Sequence, residues 1–189
     1  MVNAKDPFPY SHQMVNAKDP FPYSQMRIND YTPLLVGKGV SSTDIQSYVP
    51  VVEQAIGALL DSLIQRRAET ISVAGIYPIG CSATYLTVFQ QDLGPKTGCV
   101  EWVNDLARRH NLQLQLELNR LRRTHRHSKI SYADYYGPMM HLYKHPGTFG
   151  VREKLAACCG GEGPYNFSLS ISCGSPGSSL CSDPSSYAG

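Results

Sequence analysis

An α/β fold built on a parallel sheet is the class this sequence predicts, and two alternating patterns predict it. Apolar residues recur at three- and four-residue spacing across 45–63 and again across 100–121, the period of helices that bury one stripe. Short β-rich runs, Thr70-Ile-Ser-Val-Ala-Gly75 and Lys129-Ile-Ser-Tyr-Ala-Asp134, follow each of those stretches, with the length and composition of strands. Helix, strand, helix, strand, helix is the order of parallel strands joined by helical crossovers.

The chain opens on a duplication. Met1–Ser11 reads MVNAKDPFPYS and Met14–Ser24 repeats the same eleven letters. An Asp-Pro-Phe-Pro core in each copy suits neither a helix nor a central strand, because proline removes a donor and restrains the residue before it. Two copies are too few for a solenoid. Residues 1–25 are therefore expected to be a duplicated, disordered leader, with the folded domain over 26–189. The leader carries no apolar run of the kind a secretory signal needs.

Ser41, Ser42 or Thr43 can cap the first long helix, whose stripe is Ile45, Val49, Val52, Ile56, Leu59, Leu60 and Leu63. Pro50 inside it predicts a kink or a broken first turn. Thr70 to Gly75 reads as a buried strand stopped by Gly75 and Pro78. The second long helix, Cys99 to Arg123, aligns Val100, Val103, Ala107, His110, Leu114, Leu118 and Leu121. Lys129 to Asp134 is the second strand and Pro138 to Lys144 a short helix. Beyond Ala157 the chain is rich in Gly, Ser, Pro and Cys, so irregular structure held by cross-links is expected.

Composition narrows the class. With 42% apolar and 17% charged residues, 16 Gly and 13 Pro, the chain is neither a collagen, a coiled coil nor an acidic disordered tail. A length of 189 residues supports a domain that buries on the order of 70% of its unfolded surface. The net charge of +2 is too small for a nucleic-acid footprint spread over the whole surface. No run approaches the roughly 20 apolar residues of a transmembrane helix.

Six cysteines, 81, 99, 158, 159, 173 and 181, lie in the later part of the chain without a C-x-x-C pair. Adjacent Cys158 and Cys159 make poor partners on one zinc, and no histidine falls between 158 and 181, so disulfides are the expectation and metal is not. Six thiols allow 15 connectivities; Cys81 with Cys99 would close one short loop and the other four would staple the tail. Asn166-Phe167-Ser168 is a glycosylation sequon, in keeping with an oxidising compartment.

Candidate chemistry has a plainer reading at each position. Ligands of open parallel sheets bind beyond the carboxyl ends of the strands, which singles out Tyr77, Gly80 and Asp134; an Asp in that place more often caps the next helix. Asp61-Ser62-Leu63 lies mid-helix without the glycine-flanked turn that exposes a serine nucleophile. His110, on an apolar stripe, reads as a core residue. His141 and His145 share a face, but Pro146 ends that turn and no third ligand is in view. Arg120-Leu-Arg-Arg-Thr-His-Arg-His-Ser-Lys129 is either a polyanion patch or, more simply, a solvated helix end whose cations face the dipole.

Seven stretches carry a resemblance: Ile28-Asn29-Asp30-Tyr31, Val73-Ala-Gly-Ile-Tyr-Pro-Ile-Gly-Cys81, Thr97-Gly-Cys99, Leu114-Gln-x-Glu-Leu118, Tyr132-Ala-Asp-Tyr-Tyr136, Ala157-Cys-Cys-Gly-Gly161 and Asp183-Pro-Ser185. From Arg27 to Gly189 the chain resembles the plant GDSL esterase/lipase family of SGNH hydrolases. The resemblance implies a three-layer α/β/α parallel sheet of the flavodoxin-like kind, here incomplete. It implies a secreted serine hydrolase of small-molecule or lipid esters that needs no cofactor. In that family a Gly-x-Asn-Asp block lines the oxyanion hole, which gives Asn29 that role; Arg27 stands where the family has glycine. Tyr77, Gly80 and Asp134 would shape the substrate pocket. The family's Gly-Asp-Ser and Asp-x-x-His blocks occur nowhere in these 189 residues, so a domain truncated at both ends and without turnover is expected, since loss of triad members costs about 10⁴ to 10⁶ in rate. The alternative is a catalytically dead fragment that binds an ester or a protein.

Overall fold

The computed structural model describes residues 28–188; the duplicated leader and Arg27 lie outside them. The described residues fall into two units, 28–76 with 108–135, and 77–107 with 136–188. The long helix α4 (Glu101–Thr124) contributes its first turns to one unit and the remainder to the other.

In the first unit, α1 (Ile28–Thr32) leads through a short π-helical turn into a 3₁₀ segment, Asp44–Tyr48, and then α2 (Val49–Gln65). Ser41 prepares this start: its Oγ accepts the Asp44 N–H at 3.1 Å and donates to Asp44 Oδ2 at 2.7 Å. Pro50 occupies the first turn of α2, where an N–H has no helical partner anyway, so of the two expectations the broken first turn holds: the chain before it is 3₁₀ and the α-helix starts at Val49. The stripe faces inward as the spacing requires, with Ile45, Val49, Val52, Ile56, Leu60 and Leu63 buried; Leu59 is only half-buried, and Ile64, outside the expected stripe, is buried as well. At the far end the Ala68 N–H reaches the Leu63 carbonyl and the Arg67 N–H the Ile64 carbonyl, a Schellman closure.

Strands β1 (Thr70–Ala74) and β2 (Lys129–Ala133) pair in parallel, Thr70 beside Lys129 through Ala74 beside Ala133. Both bounds match the sequence expectation to within a residue. Burial along β1 alternates, with Ile71 and Val73 inside and Thr70 and Ser72 exposed, so the expected fully buried strand is corrected to a half-buried one. The α/β class stands in this coarse form; the three-layer arrangement is not seen among the described residues, whose parallel sheet has two strands.

Helix α4 buries its whole stripe, from Val103 and Ala107 to His110, Leu114, Leu118 and Leu121, each at 0% exposure. It approaches α2 so closely at Gly57 that an added Cβ would strike the Glu117 carboxylate. Beyond β1, Asn111 of α4 clamps the backbone: the Ile76 N–H donates to Asn111 Oδ1 at 2.7 Å, and Asn111 Nδ2 donates to the Ile76 carbonyl at 2.8 Å. A side-chain amide thus takes the place of a neighbouring strand for one residue. Gly75 is needed beside it, because a Cβ there would collide with the Tyr132 hydroxyl and with Asn111.

The second unit is organised by cross-links. Cys81 bonds Cys99, Cys158 bonds Cys181 and Cys159 bonds Cys173. The first of these is the short loop that spacing favoured, and it packs with Tyr143, Met139, Met140 and Leu155 in one apolar cluster. Helix α3 (Ala83–Val88) lies within the Cys81–Cys99 loop. Helix α5 (Tyr136–Lys144) begins two residues before the expected Pro138, since proline is tolerated throughout a first turn. The tail is irregular, as expected, apart from a two-residue antiparallel pair, β3 (Cys159–Gly160) with β4 (Ser179–Leu180), and a 3₁₀ turn at Pro184–Ser186.

Asn111→Ala strands two buried backbone groups at about 1–3 kcal/mol each. Urea unfolding should therefore show a loss of about 2–6 kcal/mol, whereas Leu112→Ser, at a position 59% exposed, stays within about 0.5 kcal/mol.

Candidate functional site

Helix α1 carries Asn29, the oxyanion-hole candidate of the sequence. Asn29 is exposed, while the next two residues, Asp30 and Tyr31, turn inward and are 7% and 0% exposed. A five-residue helix cannot hold itself in water, so the burial of Asp30 and Tyr31 is what fixes where Asn29 stands.

Behind α1 lies a buried polar cluster. The Tyr31 hydroxyl is 3.1 Å from His110 Nδ1, and Glu53 Oε1 of α2 is 2.9 Å from the same nitrogen. The Glu53 contact is short but misaligned, for neither of its oxygens completes a hydrogen bond, and His110 Nε2 and Asp30 Oδ2 are likewise buried without partners. Burial pushes the Asp30 carboxyl above its ordinary range, and the nearby His110 only partly offsets it. Burial, then the charges of Glu53 and Asp30, push the Tyr31 phenol up as well, so it remains a neutral hydroxyl.

The other candidates are placed as follows. Asp134 is exposed at the end of β2, where with burial it raises the Tyr132 phenol. Tyr77 is half-buried and its phenol is raised by burial; Tyr143 is pushed up to about 12 by burial and by Tyr77. Gly80 is buried for a packing reason: its N–H donates to Asn104 Oδ1 at 2.9 Å, its carbonyl accepts from Val100, and a Cβ would run into the Val100 carbonyl. Asn29 and Asp134 belong to the first unit, Tyr77 and Gly80 to the second. Asn166 of the sequon adopts a left-handed φ of 49°, donates to the Ala157 carbonyl at 2.8 Å and accepts from Ser179 Oγ at 3.0 Å, which ties the cross-linked tail together.

Helix α2 runs through Asp61-Ser62-Leu63 without a turn, so Ser62 stands on no nucleophile elbow. Asp61 instead accepts from Arg120 at 3.1 Å and contacts His125 Nε2 at 2.6 Å. Burial would raise its carboxyl, but the His125 and Arg120 hydrogen bonds outweigh that and hold it low. Asp61 and Arg120, with Glu117, Arg123, Pro50 and Leu116, line a groove of about 660 Å³ between α2 and α4. The rings of His141 and His145 lie 4.8 Å apart on an exposed turn, and among the described residues no three metal-ligating side chains converge. No described helix is long and apolar enough to cross a membrane.

What periodicity could not reveal is the partner set of His110, since Tyr31 and Glu53 lie far from it in sequence. A signal existed: Asn104, His110 and Asn111 are polar residues on or beside an apolar stripe, and polar groups at such positions need partners.

Comparison with known proteins gives the arrangement a family context. Residues 23–167 match the GDSL-like Lipase/Acylhydrolase family. The chain is 43% identical over 164 residues to a GDSL esterase/lipase of Arabidopsis thaliana, covering 84% of this chain and 41% of that protein. It is 44% identical over 149 residues to another from the same plant, covering 76% and 38%. It is also 41% identical over 152 residues to the sinapine esterase of Brassica napus, covering 78% and 39%. The chain thus spans about two fifths of the length of these relatives.

The Asp30 carboxyl yields a pH prediction. A carboxyl raised in the folded state destabilises it as pH climbs from the unfolded-state value through the folded one, because the unfolded chain gives up its proton first. Asp30→Asn should therefore be more stable than the parent at pH 7, with the difference shrinking as pH falls towards about 4; thermal melts across that range measure it.

Proposed function

This chain belongs to the GDSL-like lipase/acylhydrolase family, and from that premise we propose that it forms the oxyanion side of a serine-type carboxylic-ester hydrolase. The observation that carries the reading is Asn29, exposed on a helix whose next two residues are buried, with the Tyr31 hydroxyl 3.1 Å from His110 Nδ1. A carboxamide N–H held in place from behind can donate to the oxyanion of a tetrahedral intermediate without reorganising at the moment of reaction. The substrates are small-molecule or lipid esters, consistent with a relative named sinapine esterase. Tyr77, Gly80 and Asp134 are pocket candidates in this reading because each follows the carboxyl end of a strand.

Hydrolysis through an acyl-enzyme needs a nucleophile and a base, and neither Gly-Asp-Ser nor Asp-x-x-His occurs in these 189 residues. Asn29 can stabilise an oxyanion but cannot create one. Three disulfides suit a protein of the secretory pathway, which is the compartment this reading assigns, with Asn166 as a candidate glycan acceptor.

The 189-residue chain alone should hydrolyse nitrophenyl butyrate no faster than buffer does. A chimera in which the Arabidopsis relative's flanking segments enclose residues 26–189 should turn it over. In that chimera Asn29→Ala should lower kcat by about 10²–10³. Turnover by the chain alone, or an Asn29→Ala chimera of unchanged kcat, contradicts the reading.

A further inference from the structure

At the amino ends of β1 and β2 two basic segments meet. Ser128 Oγ donates to the Ala68 carbonyl at 3.1 Å, the Lys129 N–H donates to the Glu69 carbonyl at 2.6 Å, and His125 contacts Asp61. The turn that ends α2 and the turn that ends α4 are thereby held side by side. Of the cations on these turns, Arg120 is spent on Glu117 and Asp61, and Arg122 on the Ile130 carbonyl and Asn119. Arg66, Arg67, Arg123, Arg126 and Lys129 are all exposed and, among the described residues, take part in no side-chain hydrogen bond or ion pair. Capping a helix dipole explains cations on the last turn of α4, but not the convergence of a second helix end carrying two more.

Arg67 adds an independent observation. It closes the Schellman turn of α2 with φ +70°, a left-handed position that glycine fills without strain and a branched cationic side chain does not. A residue held against its backbone preference points to a use for its side chain. Glu69 is the one carboxylate of segments 65–70 and 119–130, which also hold no Phe, Tyr or Trp. The absence of an aromatic platform disfavours single-stranded nucleic acid, and Leu121 and Ile130 are buried, which leaves no apolar side chain here to enter a bilayer. In the secretory compartment that the proposed function assigns, and on which this inference rests, the abundant polyanions are extracellular.

We propose that the paired turns around Arg67 and Arg126 bind an acidic polysaccharide, at the end of the sheet opposite the carboxyl ends of its strands. The contact is electrostatic, follows a chain of carboxylates or sulfates, and is independent of ester hydrolysis.

The test uses the oxidised 189-residue chain on immobilised polygalacturonate and on dextran sulfate, eluted with NaCl. Retention at low salt on either matrix is expected, and the pair of matrices tells carboxylate from sulfate recognition. Arg67→Gly separates function from folding: it should raise Tm while lowering the salt slope of binding by about one, and Arg66→Ala with Arg126→Ala should lower it by about two. Flow-through on both matrices at low salt overturns the proposal. So does an Arg67→Gly variant with unchanged elution, or retention only on RNA or on phosphatidylserine vesicles.

Discussion

The contact of His110 Nδ1 with the Tyr31 hydroxyl and the Glu53 carboxylate is the constraint on which the first unit depends. It joins three helices at one atom: α1 through Tyr31, α2 through Glu53 and α4 through His110. Burying an imidazole and a carboxylate costs several kcal/mol of solvation per charged group, recovered only if the partners stay in place. The cluster is not fully satisfied, since His110 Nε2 and Asp30 Oδ2 have no partner. Its contribution is therefore better described as positioning than as net stability. An apolar core would tolerate α1 in several registers, whereas Tyr31 can meet His110 in one.

In the role proposed for Asn29, that positioning serves catalysis. Asn29 lies one residue from Asp30 and two from Tyr31, and a donor that must meet a developing charge gains its effect from being fixed beforehand. The same helix that supplies His110 supplies Asn111 to the Ile76 backbone and, seven residues earlier, Asn104 to the Gly80 N–H. One face of α4 thus grips the segment that leaves β1 at two points, each within its own unit. In a family of ester hydrolases, that segment and α1 both carry residues of the shared motifs.

Much of this was legible before any coordinates. Stripes at helical spacing located α2 and α4, and the two β-rich runs located β1 and β2, because local period and burial are the same information seen twice. His110 was readable as core for the same reason. Its partners were not: Glu53 looks like one more polar residue of α2, and only tertiary packing turns it inward. Alternation along β1 was hidden by a run that is apolar or small on both faces. The tail pairings, Cys158 with Cys181 and Cys159 with Cys173, exceed what spacing can decide, since adjacent cysteines can exchange partners without altering any pattern. Asn29 was identified by motif resemblance alone; exposure beside two buried neighbours is a fact of the fold.

The most direct measurement is a double-mutant cycle on Glu53→Gln and His110→Asn, followed by urea unfolding of the oxidised chain. Each single variant leaves its buried partner uncompensated and should cost about 3–5 kcal/mol. The double variant should cost less than the sum by about 0.5–3 kcal/mol. Additive losses would mean that the two side chains are buried independently, and that α2 and α4 are not joined at His110.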